Sequence, residues 1–158
     1  MTDLRSSELR VAAALSEHAL PGRVTVLTQL ATTAQMAADA LGIDLGRIVK
    51  SLVFTGGDAG EPVMVLVSGA NRVHERRTGR AIGFKLERAD ADVVRSATGF
   101  AIGGVSPFGH LKPMPIYMDE DLFQYDTVWA AAGDPRSVFE IAPPDLQRTT
   151  AATRIAVT

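Results

Sequence analysis

Two stretches hold residues whose types and spacing suggest chemistry. One is the loop Gly103-Gly104-Val105-Ser106-Pro107-Phe108-Gly109-His110, which combines adjacent glycines, a hydroxyl, a proline and an aromatic ring. The other is Lys50 in "RIVKSLVF", a cation inside an apolar run. The loop has part of the strained serine turn G-x-S-x-G, but the second residue after Ser106 is Phe108 where a nucleophile elbow needs glycine. Pro107 also removes the backbone N–H that the residue after such a nucleophile must offer to an oxyanion, so Ser106 is a poor acyl-forming nucleophile. The run from Gly99 to Gly104 fits neither G-x-G-x-x-G nor the P-loop pattern, and no Lys-Ser/Thr pair follows, which argues against a nucleoside triphosphate site. Two readings of the glycines stay open. They line a pocket whose backbone N–H groups receive an anion or a carbonyl, or they make a tight crossover between strands.

Strand alternation puts Ile48, Lys50, Leu52 and Phe54 on one face and Val49, Ser51 and Val53 on the other. Lysine is almost never fully buried without a partner, so Lys50 is either a pocket wall or a stem that snorkels to solvent. At a pocket rim it would bind phosphate or carboxylate as a point charge, or become reactive if desolvated. His18, His74 and His110 lie far apart without metal-ligand spacing, and the absence of cysteine removes disulfides, thiolate nucleophiles and cysteine-ligated metals. The expectation is neither metal nor cofactor. Residues 71–88, "NRVHERRTGRAIGFKLER", carry a local surplus of four positive charges. They read equally as a phosphate-contact surface or as a solvated helix face paired with its own glutamates.

The elements that must position these residues are mixed. Residues 6–19 space Leu9, Ala12, Ala13 and Leu15 as one helix face, with Pro21-Gly22 as a stop. Residues 24–28 form a short β-branched run, and 32–44 predict a helix capped by Thr32 or Thr33 and ended near Gly42. Residues 47–57 and 61–70 then read as strands of an antiparallel hairpin around "GGDAGEP". Shorter segments follow: "GFKLER", a helix near "DADVVRSAT", "MPIYMDEDLF", "TVWAAAG", "SVFEIAP" and a last helix from "PPDLQRTTAA". Strands outnumber helices without alternating regularly with them, which favours a mixed α/β fold over a doubly wound parallel sheet.

A chain of 158 residues, 46% hydrophobic and 22% charged, is expected to fold as one domain over 1–158, with no disordered tract. The amino-terminal stretch has no apolar core of signal-peptide type and no apolar run approaches membrane-spanning length, so the expected location is the cytoplasm, with no membrane partner. A net charge of −2 gives no general field for nucleic acid, so any such contact must be local.

Taken together, "AADALGIDLGRIVKSLVF", "PVMVLVSGANRV", "TGFAIGGVSPFGH", "MPIYMDEDLFQYDTVWAAAG" and "SVFEIAPPDLQRTT" resemble the YbaK/prolyl-tRNA synthetase editing-domain family of aminoacyl-tRNA deacylases, in order across about residues 25–150. The resemblance implies a single-domain pseudo-barrel of mixed strands with surrounding helices. It implies a trans-editing deacylase that hydrolyses the ester of a mischarged tRNA, with Cys-, Ala- or Ser-tRNA for proline as substrates. Lys50 matches the family's functional lysine, which would fix the substrate's pose, and Gly103 and Gly104 would supply backbone donors to the ester oxygen. Ser106, Pro107, Phe108 and Gly109 match the loop that lines the amino-acid pocket. A neighbouring ribose hydroxyl of the substrate would help to position the attacking water, so no protein nucleophile is required. The chain departs from the family at Gly133-Asp134-Pro135-Arg136-Ser137-Val138-Phe139, where many relatives carry histidine at the place of Arg136. Asp134 and Arg136 would contact the substrate's ammonium or a phosphate, or else form a surface ion pair. The implied partners are the tRNA acceptor end and prolyl-tRNA synthetase or another synthetase. The alternative is a non-catalytic module that uses the same pocket to bind tRNA ends or a synthetase.

Overall fold

The computed structural model describes residues 3–158. The central hairpin forms as its turn chemistry predicts: β2 (Ile48–Gly56) and β3 (Glu61–Ser68) pair antiparallel from Val49↔Ser68 to Gly56↔Glu61. β3 is apolar on both faces because both are covered. Val63, Val65 and Val67 pack with Phe54, Leu86 and Val157, while Met64 and Leu66 join the larger core of Val11, Leu15, Phe100, Phe139 and Leu146. Such two-sided burial explains a continuous apolar run where a half-buried strand would alternate.

Other strands extend the hairpin on both sides. β5 (Ile116–Asp119) runs parallel to β3, and β8 (Thr153–Ile155) runs parallel to β5. On the other side β6 (Val128–Ala131) pairs parallel with the start of β2, β7 (Ser137–Ile141) pairs with β6, and the two-residue β1 (Thr25–Val26) closes that edge against β7. β4 (Leu86–Arg88) pairs with the far end of β2. The fold is therefore mixed α/β, an eight-stranded sheet in the order β1-β7-β6-β2-β3-β5-β8 with β4 beside β2. Among the described residues no ladder joins β1 to β8, so the sheet is not closed into a barrel.

Among the described residues five α-helices flank the sheet. α1 (Ser6–Glu17) buries Val11, Ala14 and Leu15. In α2 (Ala34–Leu41) the Thr33 hydroxyl accepts the Met36 N–H, and Gly42 ends the helix at φ +67°, the left-handed conformation glycine adopts without a Cβ penalty. α3 (Glu75–Ile82), α4 (Ala91–Thr98) and α5 (Pro143–Thr150) complete the set. Among the described residues no helix is long and apolar enough to cross a membrane.

Candidate active site

The site follows from how β2 is paired. β3 covers one edge of it from Val49 to Gly56, whereas the opposite edge meets β6 only at Ile48–Val49 and β4 only at Phe54–Gly56. Between those contacts the strand edge is open. The Ile48 carbonyl faces β3, where it accepts the Gly69 N–H at 2.7 Å, and the Val53 carbonyl faces the other way, accepting the Ala89 N–H at 3.2 Å. Backbone groups alternate sides along an antiparallel strand, so Ser51 turns its N–H and C=O into the gap. A cavity of about 430 Å³ wraps this edge, within the size range of small-molecule sites.

Lys50 and Ser51 enter the cavity from opposite faces of the strand. Lys50 stands opposite Val67, on the face of Leu52 and Phe54, as alternation predicts. Its half-buried stem carries Nζ to the carbonyl of Asn71, to which it donates. Asn71 is itself held, donating through Nδ2 to Asp119 at 2.9 Å and to Asp121 at 2.7 Å. Burial pushes the Lys50 pKa below the ordinary lysine value, repulsion from Arg72 lowers it further, and Asp119 opposes both. Ser51 stands opposite Leu66 on the face of Val49 and Val53, and its buried hydroxyl has no hydrogen-bond partner among the described residues. Leaving a buried hydroxyl unsatisfied costs about 1–3 kcal/mol, so a group that bonds Ser51 from within the cavity it lines would recover that cost.

The glycine loop contributes its first half only. Gly103 lines the cavity at φ +98°, a conformation open to glycine and strained for other residues. Gly104 does not line it. Its N–H closes a turn on the Ala101 carbonyl at 3.0 Å, and a Cβ there would lie 2.7 Å from Cα of Asp134. Gly104 is thus demanded by the close approach of two loops, and its N–H is not free for a substrate oxygen. The expected pair of donors reduces to Gly103.

Ser106, Pro107, Phe108 and Gly109, expected to line the pocket, turn into the protein and lie outside the cavity lining. Ser106 is fully buried, and its carbonyl receives Nε2–H of His110 at 2.7 Å. Pro107 is buried with them, and the Phe108 ring packs on Phe139 at 5.1 Å. The Gly109 carbonyl accepts Nε–H of Arg10, whose guanidinium lies 4.3 Å from the Phe100 ring centre. This half of the loop anchors what the first half presents. His110 belongs to the anchor, and burial lowers its pKa.

Asp134 lines the cavity but is already engaged, accepting from Arg5 at 2.8 Å and from the Arg136 N–H at 3.0 Å. Arg136 lies outside the lining. Its guanidinium donates to Glu8 at 2.6 and 3.1 Å and to the Asp3 carbonyl at 2.8 Å. Glu8 is fully buried, so Arg136 ties α1 to the β6–β7 turn through a buried ion pair, unlike the surface pair weighed for it. Thr32, Trp129 and the 62% exposed Ile102 also line the cavity and escaped sequence reasoning as site residues, whereas Arg88, which lines it too, belongs to the basic stretch 71–88 read as a phosphate-contact surface or a solvated face. Ser51 escaped as well, although it carries the same signal as Lys50, a polar residue in an apolar row. Among the described residues no three His, Cys, Asp or Glu are grouped to hold a metal ion.

Residues 28–149 match the family described as aminoacyl-tRNA editing domain. A protein of Enterococcus faecalis, provisionally named Cys-tRNA(Pro)/Cys-tRNA(Cys) deacylase EbsC, is 34% identical over 112 residues, 70% of this chain and 68% of the relative. The proline–tRNA ligase of Maridesulfovibrio salexigens is 30% identical over 130 residues, 79% of this chain but only 22% of the ligase. A crystal structure provisionally described as a trans-editing enzyme for prolyl tRNA synthetase superposes with a TM-score of 0.92 at 43% identity, over 99% of both chains.

Proposed function

From the premise that this chain belongs to the aminoacyl-tRNA editing-domain family, we propose that it is a trans-editing deacylase that hydrolyses the ester of mischarged tRNA, with Cys-, Ala- or Ser-tRNA for proline as substrates. The observation that carries the reading is the gap along β2, where Lys50, the unpartnered Ser51 hydroxyl and the backbone of Gly103 line one cavity. An aminoacyl ester is activated enough for water to attack, provided the carbonyl oxygen is met by preorganised donors as it gains charge. Gly103 N–H and Ser51 Oγ–H are those donors. Lys50, held by Asn71, keeps two ammonium protons for the terminal adenosine or its phosphate and fixes the pose. Water adds to the carbonyl carbon, the ester C–O bond breaks, and the ribose oxygen leaves with a proton. The ribose hydroxyl beside the ester orients the water, so the protein supplies position and charge while no side chain becomes acylated.

The small walls formed by Val94, Val105 and Ala130 suit a short side chain. A separate editing site is needed because one methylene gives a synthetase only about 1–3 kcal/mol of discrimination. The match to the trans-editing structure over 99% of both chains supports action in trans, with the tRNA acceptor end and a prolyl-tRNA synthetase as partners.

The test is a panel of mischarged tRNAs incubated with wild type and with Lys50→Ala. At least one of the three substrates should be hydrolysed, and Lys50→Ala should lower kcat/KM by roughly 100-fold or more. A wild-type protein that binds tRNA and leaves the whole panel intact would overturn the enzymatic reading in favour of a binding module.

A further inference from the structure

The segment 71–88 carries a surplus of four positive charges in a chain of net charge −2, so the remaining residues carry −6. Of the two readings of that segment, the structure disfavours the self-paired one. Arg72, Arg76, Arg77, Arg80 and Arg88 are all exposed. Among the described residues none of them pairs with a carboxylate, the ion pairs being made by Arg5, Arg47, Lys85, Arg136 and Arg148. Glu87 reaches Lys85 at a loose 3.8 Å, with both side chains exposed. Unpaired like charges repel one another, and a cluster of them is complemented by a polyanion.

The placement of these arginines gives the polyanion a path. Arg76 and Arg80 stand one turn apart on one face of α3 and border an open groove with Phe84 and Lys85. At Gly79, between them, a Cβ would lie 2.6 Å from the Phe84 carbonyl, so the helix rests directly on the chain entering β4. β4 links the groove to the active cavity: Leu86 borders the former and Arg88 lines the latter, about 7 Å further along the strand. Arg88 lines the cavity together with Lys50, and Arg72 directly follows Asn71, whose carbonyl takes the Lys50 ammonium. Positive charge therefore runs from Lys50 past Arg88 and Arg72 to Arg76 and Arg80.

We propose that α3 and β4 form the surface that carries the RNA backbone into the cavity, with Arg76 and Arg80 each taking a phosphate. The inference rests on reading the cavity as an aminoacyl-ester site, and it commits to RNA over an acidic protein because the path ends at that cavity. Planar guanidinium groups meet phosphate oxygens in pairs, and the acidic remainder of the surface confines the polyanion to this side.

The test compares wild type with the double variant Arg76→Gln/Arg80→Gln on two substrates, an intact mischarged tRNA and the same amino acid esterified to adenosine alone. On tRNA near 0.1 M salt, kcat/KM should fall about 10-fold, and the log–log salt slope should shrink by roughly 1 to 2, at about 0.9 per phosphate lost. On the adenosine ester the two proteins should agree within about twofold. Unchanged tRNA turnover and slope would overturn the proposal and leave the face to an acidic protein partner. An equal loss on both substrates would overturn it too, because α3 would then act through the fold. If wild type hydrolyses neither substrate, the deacylase reading fails, and binding of uncharged tRNA by the same two proteins decides the surface: a smaller salt slope in the variant supports it, and an equal slope overturns it.

Discussion

Arg136→Met should leave Glu8, fully buried, as a carboxylate without its cation. In the native fold burial alone would raise the Glu8 pKa, yet hydrogen bonds from the Arg136 guanidinium and the Arg5 backbone N–H hold it at about 2. A carboxyl that titrates there, against an ordinary 4.5, contributes roughly 3 kcal/mol of stability above about pH 5. We take about 2 kcal/mol, because Arg136 keeps a solvent-facing edge that water screens. That contribution is present above the unfolded carboxyl's pKa and disappears as pH falls toward 2. Removing one partner of a buried pair costs more than the pair contributes, about 3 kcal/mol here, since the surviving charge is stranded. The sign of the pH dependence should also reverse. With Arg136 gone, burial lifts the Glu8 pKa, so the variant loses stability as pH rises from about 4.5, where wild type has just gained it. Glu8→Met/Arg136→Met removes both charges and should recover all but about 1 kcal/mol, the residue being the lost bond to the Arg5 N–H. Urea unfolding at pH 4, 5.5 and 7 measures all three proteins. A single variant that loses under 1 kcal/mol at pH 7, or a double variant no better than the single, would refute the reasoning. So would an Arg136→Met protein with wild-type stability and no turnover, which would return Arg136 to the substrate.

Ser51→Ala removes an unpartnered buried hydroxyl and should raise stability by up to about 1 kcal/mol, while deacylation falls roughly 10-fold; a loss in both thermal melting and turnover would contradict a ligand-facing role. Gly104→Ala forces a Cβ to within 2.7 Å of the Asp134 backbone and should cost about 2 kcal/mol by splaying two loops, read as a lower Tm together with a raised KM. Because burial and then Arg72 depress the Lys50 pKa, enzymatic turnover, corrected for spontaneous hydrolysis, should decline on the alkaline side earlier than an ordinary lysine would allow. Arg72→Gln should move that limb to higher pH, and an unmoved limb would show that the Lys50 ammonium is not the titrating group.

Legibility in the sequence tracked the range of the interactions. The β2–β3 hairpin, the Thr33 cap and the Gly42 stop were readable because turn and cap chemistry lies within a few residues. The parallel pairings of β2 with β6 and β3 with β5 join segments more than fifty residues apart and leave no local mark. The three-residue β8 and the two-residue β1 exist only because neighbours supply their partners. At the site, Lys50 stood out as a cation among aliphatics. The division of labour inside the glycine loop did not, because Gly104 answers to the backbone of Asp134 thirty residues later and Phe108 to Phe139. Arg136 reads from the sequence as a substrate contact or a surface ion pair, and its partner Glu8 lies 128 residues away, where no local pattern reveals it.

A strand in mid-sheet ordinarily has each amide proton shielded by a neighbour, and exchange with solvent then awaits an opening of the fold. The Ser51 amide is an exception set between shielded ones, since it looks into the gap between β6 and β4. In deuterated water it should exchange ahead of Leu52 and Phe54, whose amides turn toward β3. Anything lodged against the strand edge slows it. A single resonance in the middle of the protein thus reads whether the cavity is occupied, without a label attached to protein or ligand.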